Sequence, residues 1–346
     1  MAYTTIDDPS AHFQIVLWTG NGGTQSITNT GNSDLQPDWV WTKRRDTDGQ
    51  NHHVVDSSRG ATKTLVPNDT DQEATKSTGL TAFNSDGFSV GADANYNNNT
   101  TTYVAWQWKA NGGTKTTFTE SGNNPGGSYQ VNTTAGFSIL DYTGTGAVGT
   151  VAHGLGAVPE LMICKDRSSD GDDWFVYHVS TGNDGGMRFN TTAADGDDAN
   201  RWNNTTPTSS VCTFGASGGV NDDGKATTAY VWAPIKGYSK FGSYVGAGGS
   251  QFVYTGFAPA FLIEKRSSNT STWTLYDNKR SPFNERSEVL HPEGNDAEET
   301  YSSAPDFLSN GFAPRGAIND NGETVIYMAF AEHPFVSSEG VPCTAR

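Results

Sequence analysis

The chain has 346 residues, a formal net charge of −16 and only 17% charged residues, with acids outnumbering bases 38 to 22. That balance argues against nucleic-acid binding, since no segment concentrates the basic residues needed to neutralise phosphates. No apolar run approaches the roughly 18 residues of a membrane span, which argues against membrane insertion. Cys164, Cys212 and Cys343 are too few and too far apart for a zinc pattern or a disulfide framework, and are read as reduced thiols.

Leu and Ile are scarce, but aromatic residues make up 11% of the chain. Each packed ring buries about 150–250 Å², so rings can supply the missing aliphatic area. Abundant Val, Thr, Asn and Gly favour strands and turns over helices, so the fold class expected is all-β.

In chain order, Met1-Ala2-Tyr3-Thr4-Thr5 lacks the basic and apolar regions of a signal peptide. An N-terminal segment, 1–12, leads into a pattern that occurs three times. Each occurrence opens with a Phe and then an aromatic residue before a Gly turn: Phe13 with Trp18 and Gly20, Phe137 with Tyr142 and Gly144, Phe241 with Tyr244 and Gly246. A strand led by Pro follows and ends in Lys at the same spacing each time, from Pro37 to Lys43, Pro159 to Lys165 and Pro259 to Lys265. Alternation places Trp39/Trp41, Leu161/Ile163 and Phe261/Ile263 on the face expected to form the core.

A second strand comes next, around His53-Val54-Val55-Asp56, Trp174-Phe175-Val176-Tyr177 and Trp273-Thr274-Leu275-Tyr276-Asp277. Asp-Gly or Asn-Gly turns at Asp86-Gly87 and Asn310-Gly311, with a weaker counterpart near Phe214, precede closing strands that reach Trp108, Trp232 and Phe330. The expected architecture is three tandem β-sandwich-like repeats of about 100 residues. The boundaries read as repeats at 13–109, 135–235 and 236–335, a flexible Gly/Asn/Thr-rich linker at 110–134, and a C-terminal tail at 336–346. Each repeat is expected to fold alone, with the second and third packed more rigidly together than with the first, because the junction at Lys236-Gly237-Tyr238-Ser239 is short.

Four groups of residues are candidates for function. Asp56/Arg59 and Asp277/Arg280, three apart after a strand, form either a ligand clamp built on the planar guanidinium or a polar pair that fixes the strand exit. The middle repeat departs, with His178 and Thr181 at those places. Acidic turns offer hard oxygen ligands for calcium through Asp170, Asp172, Asp195 and Asp197, though none has the EF-hand register. Tyr96, Tyr129, Trp202 and Tyr301 lie among Asn, Thr and Ser, where rings can stack on sugars or cap a small core under a loop. No nucleophile or acid/base motif stands out, so no catalytic residue is assigned; calcium is the one cofactor considered.

Ile6-Asp7-Asp8-Pro9-Ser10, Asp34 to Trp41, Asp56-Ser57-Ser58-Arg59-Gly60, Phe83 to Phe88, Gly237 to Gly242 and Tyr327 to Ala331 resemble an uncharacterised repeat family. That family is frequent in virion structural proteins of marine bacteriophages, where its members are often labelled tail-fibre-like. The resemblance implies a place, the virion, and no chemistry. The function expected is a non-enzymatic tail-fibre or receptor-binding component. The alternatives are a capsid decoration protein or a polysaccharide-degrading virion enzyme. Expected partners are other virion proteins, a host surface glycan and further copies of the chain, a trimer being favoured because phage appendages are symmetric. Oligomer contacts are expected from surface patches or from the termini, 1–12 and 334–346.

Overall fold

The structure, a computed structural model, describes residues 2–343 and is nearly all β. Its architecture follows from where the landmark residues pair. In the first segment the opening strand Phe13–Thr19 pairs with the closing strand Thr102–Trp108. That strand pairs with the Pro-led strand Trp39–Arg44, which pairs with the second strand His52–Asp56. The third segment repeats this order with Ser239–Val245, Thr324–Pro334, Phe257–Arg266 and Trp273–Asp277. The second has it in Phe137–Thr143, Ala226–Trp232, Leu161–Asp166 and Phe175–His178, inside a seven-stranded sheet. All pairings are antiparallel. Pro259, which lacks an N–H for the ladder, sits at a register shift.

Each main sheet is buried on both faces, because each faces two cores. On the outer side, a small sheet and long loops enclose a private core: Val16, Val40, Phe88 and Tyr96 in the first segment, Leu140, Met162, Trp202 and Phe214 in the second, Phe257, Leu262, Phe307 and Phe312 in the third. The inner faces, including the Trp39/Trp41, Leu161/Ile163 and Phe261/Ile263 rows, merge into one cluster shared by all three segments. Trp39 lies 4.8 Å from Tyr230 and 5.3 Å from Trp232, Trp108 lies 5.6 Å from Phe261, and Phe189 lies 5.1 Å from Trp273, so each sheet meets the other two.

Two sequence-based expectations are corrected by this arrangement. The segments do not have self-contained cores, because half of each sheet's apolar surface is covered only by the other two segments. The stretch 110–134 is not an open linker. It carries strands Thr116–Phe118 and Gly126–Asn132, the latter paired in register along Phe137–Thr143. Gly126 and Gly127 of the expected linker lie in that strand, where a Cβ on Gly127 would collide with the Asp141 carbonyl. This stretch also ties the first segment to the second. Asp38 accepts from the backbone N–H groups of Ala110, Gly112 and Gly113, and Gln130 Nε2 donates to Ser57 Oγ and Ser58 Oγ.

The termini are engaged within the chain. Ile6 is buried, Thr4 Oγ1 donates to the Lys236 carbonyl, and Ser338 N–H donates to Asp7 Oδ1 at 2.7 Å. Residues 344–346 of the expected tail, and Met1, lie outside the described residues. Among the described residues no helix is long and apolar enough to cross a membrane.

Candidate functional site

The two Asp/Arg pairs lie at the joints between segments. Asp56, His178 and Asp277 occupy one structural position, each opposite the first core residue of its Pro-led strand: Trp39, Leu161 and Phe261. Each reaches the closing strand of the next segment. Tyr230 Oη of the second segment donates to Asp56 Oδ2 at 2.7 Å, and Trp106 Nε1 of the first donates to Asp277 Oδ2 at 3.0 Å. His178 of the second reaches the Tyr327 carbonyl of the third at 3.1 Å. The contacts thus run first to second, second to third and third to first, closing a ring.

The local pairs fix the acids for this task. Arg59 Nε and Arg280 Nε each donate to their Asp Oδ2 at 2.5 Å, and all four side chains are essentially inaccessible. Glu73 and Glu298 add a second carboxylate, at 3.1 and 3.0 Å from Arg59 Nη1 and Arg280 Nη1. Glu298 also binds Arg45 of the first segment, at 2.5 Å. Of the two readings of these pairs, the structure places them as polar fixings of the strand exit, and they also join segments. With no surface open to a ligand, they cannot act as a ligand clamp.

The departure of the middle segment has a physical reason. Trp106 and Tyr230 stand at the closing-strand position that Met328 holds in the third segment. A thioether donates no hydrogen bond, so a carboxylate facing it would be stranded. His178 is neutral instead: its Nδ1 accepts from Ser180 N–H, which leaves the Nε2 proton for the Tyr327 carbonyl. This joint between the second and third segments lacks the Asp/Arg pair and borders a small apolar void lined by Ile163, Val176, His178, Phe189, Ile263 and Met328. It is held by neutral hydrogen bonds from His178, Trp273 and the Asp195 backbone rather than by a buried ion pair.

A second ring runs the other way. His52, Trp174 and Trp273, four residues before the acids and the histidine, donate ring N–H groups to the carbonyls of His291, Val66 and Arg188 at 3.1, 2.9 and 3.1 Å. Trp41 Nε1 donates to His52 Nδ1 and so fixes the His52 proton on Nε2. Backbone N–H groups of Glu73, Asp195 and Glu298 form a third ring, donating to the carbonyls of Arg167, Ser267 and Arg45.

The aromatic candidates for sugar contact are mostly interior. Tyr96 and Trp202 are fully buried, with the Tyr96 hydroxyl on Thr64 Oγ1 and the Trp202 indole N–H on the Gly185 carbonyl. Tyr129 and Tyr301 are half-buried. Tyr129 stacks on Phe118, and the Tyr301 hydroxyl meets His291 Nε2 at 3.2 Å. They cap small cores under loops, so sugar stacking is corrected for Tyr96 and Trp202.

Of the acidic turns, Asp195 accepts from Gly186 N–H, Asp197 bridges to Gly185 through its backbone, and Asp170 accepts from Gln72 N–H. None of these three joins a cluster able to hold an ion among the described residues; Asp172 does, with Asp166 and Asp222. Asp166, at a strand end beside Lys165, was missed because it sits outside the acidic runs.

Ionisable groups buried for structural reasons give a testable pH dependence. Burial lowers the His178 pKa to about 4 from its ordinary 6.5, and raises that of Glu264 to about 7 from 4.5. The Tyr244 hydroxyl, 2.7 Å from Glu264 Oε1, only partly offsets the burial. For His178 the unfolded chain binds more protons, so its contribution is complete above pH 6.5 and is lost as pH falls towards 4. Glu264 has the opposite sign, since the folded chain holds the extra proton and stability falls as pH rises from 4.5 to 7. Each swing is worth about 3 kcal/mol. In urea titrations across pH, Glu264→Gln should lessen the fall towards neutrality, to which buried Glu293 and Asp141 also contribute, and His178→Gln should lessen the loss on acidification, which it shares with buried His53. A variant with the wild-type pH profile would contradict its assignment.

Residues 8–334 match, as one continuous unit, the family described as Domain of unknown function (DUF7483). No curated protein matches the chain. The family match spans all three sheets and the strands between the first and second, the same extent over which the joints close. The chain belongs to this family of domains of unknown function, DUF7483.

Proposed function

We propose that the chain is a non-enzymatic structural component of a bacteriophage particle, carried on a tail fibre or another host-contacting appendage. The observation that supports this reading is the use of the buried polar groups: the Asp/Arg pairs and His178 fasten three sheets together. A rigid body with loops radiating from three lobes suits display at a particle surface. The particle itself rests on the resemblance of the sequence blocks. The loops and exposed apolar side chains of the third lobe, Val245, Phe252, Tyr254 and Phe283, offer contacts to another virion protein or to a host glycan.

A head-surface decoration protein is the second reading. It is favoured by the two terminal segments packing together on the third lobe, where the Tyr3 and Tyr254 hydroxyls lie 2.9 Å apart and Tyr3 meets Phe335 edge to face. Mass spectrometry of purified particles, with gold-labelled antibody in electron microscopy, tests both readings. Label on the tail is expected; label on the head transfers the role to decoration, and absence from particles overturns the proposal.

A further inference from the structure

The second lobe contains a substitution that the chain itself explains. At the end of each Pro-led strand, the residue after the buried Lys is Arg44, Asp166 or Arg266, facing Tyr103, Thr227 and Val325 in register. In the third lobe Arg266 Nη2 meets Asp320 Oδ2 at 3.0 Å. The residue matching Asp320 in the second lobe is Asp222. Each follows an Asn, Asn319 or Asn221, whose side-chain oxygen accepts a backbone N–H from the first Gly turn, that of Ala247 or Thr145. In the second lobe, therefore, a carboxylate replaces the guanidinium while its acidic partner is kept, and Asp172 from the next loop joins them.

One oxygen from each of Asp166, Asp172 and Asp222 lies within 4.8 Å of the others. Two oxygens bound to one Ca²⁺ at about 2.4 Å each can be no farther apart than this. Asp166 is fully buried. Its Oδ1 accepts from the Ser168 N–H and hydroxyl, whereas Oδ2 is buried without a hydrogen-bond partner. A buried carboxylate oxygen beside two further carboxylates is strongly unfavourable unless a cation is present. The neighbouring Lys165 is close enough to interact electrostatically with Asp172 and Asp166, but its ammonium donates to the Thr70 carbonyl at 3.2 Å and does not hydrogen-bond Oδ2.

We propose that Asp166, Asp172 and Asp222 form a Ca²⁺ site, in which a hard divalent cation takes the place held in the third lobe by the Arg266 guanidinium. Three carboxylates suit calcium better than a soft metal, since no thiol or imidazole is in the cluster. The ion ties the strand end at Asp166 to the loops carrying Asp172 and Asp222, and so braces the rim of the second lobe.

Calorimetric titration of the chelator-treated full chain with CaCl₂, paired with thermal unfolding, tests the site. The wild-type chain is expected to bind Ca²⁺ saturably in the submillimolar to millimolar range and to gain several degrees of Tm. Asp222→Asn should weaken that binding at least tenfold. Asp166→Arg, which restores the third-lobe pair, should abolish it and leave metal-free Tm at or above the metal-free wild-type value, because like-charge repulsion is removed. No saturable binding at millimolar Ca²⁺, or undiminished binding in both variants, overturns the proposal.

Discussion

Replacing Asp277 by Ala is expected to destabilise the chain by about 3–5 kcal/mol, the cost of leaving a buried charge without its partner. Arg280 is fully buried and would keep only Glu298 as a carboxylate partner. The N–H groups of Lys279 and Arg280 and the indole N–H of Trp106 would lose their acceptor at the same time. The loss should appear as a lower urea midpoint with unchanged slope, read alike by fluorescence and circular dichroism, because the broken contacts join the third segment to the first. Asp306→Ala serves as the comparison. Its partner Arg315 is half exposed, and exposed pairs contribute under about 1 kcal/mol. Equal effects of the two substitutions would contradict the role given to the joint.

Trp108→Ala is the second large effect, at about 3–5 kcal/mol. Trp108 contacts rings of all three segments: Phe13 and Trp39 at 4.7 and 4.6 Å, Trp232 at 6.3 Å, and Phe261 and Phe330 at 5.6 and 5.4 Å. Removing it opens a cavity where no single segment can collapse to fill the space. Trp108→Phe should cost far less. The third segment already places Phe330 at the matching position, and the Trp108 indole N–H has no hydrogen-bond partner to lose. Denaturant midpoints of the two variants check this, and a Phe variant as unstable as the Ala variant would show that the indole has a specific role.

The local elements were legible because they rest on short-range signals. The Pro-to-Lys spacing located the three Pro-led strands, and alternation separated the Trp39/Trp41 row from Asp38/Val40/Thr42. Alternation could not reveal that both rows are buried, since Val40, Met162 and Leu262 cover private cores while the opposite rows meet at the centre. The stretch 110–134 was misread because Gly-rich composition resembles flexible linker. Its strand signal, the alternation through Tyr129 and Val131, is short, and its glycines answer to close approach by a neighbouring strand.

Contacts between segments lay furthest from view, because sequence spacing measures distance along the chain and these contacts join residues about seventy or more positions apart. A usable signal was present nonetheless. Acid occurs where the next segment offers Tyr230 or Trp106, and His178 occurs where it offers Met328. The same internal comparison, Arg266 against Asp166, exposes Asp166, the one member of the carboxylate cluster that lies outside the acidic runs.

The central claim is that three sheets with one strand order form a single cooperative body through a shared aromatic core and closed rings of contacts. Differential scanning calorimetry of the full chain tests it most directly. One transition with equal calorimetric and van't Hoff enthalpies is the predicted result. Separate transitions for the three segments, or a van't Hoff enthalpy near one third of the calorimetric enthalpy, as three independent domains would give, would contradict it.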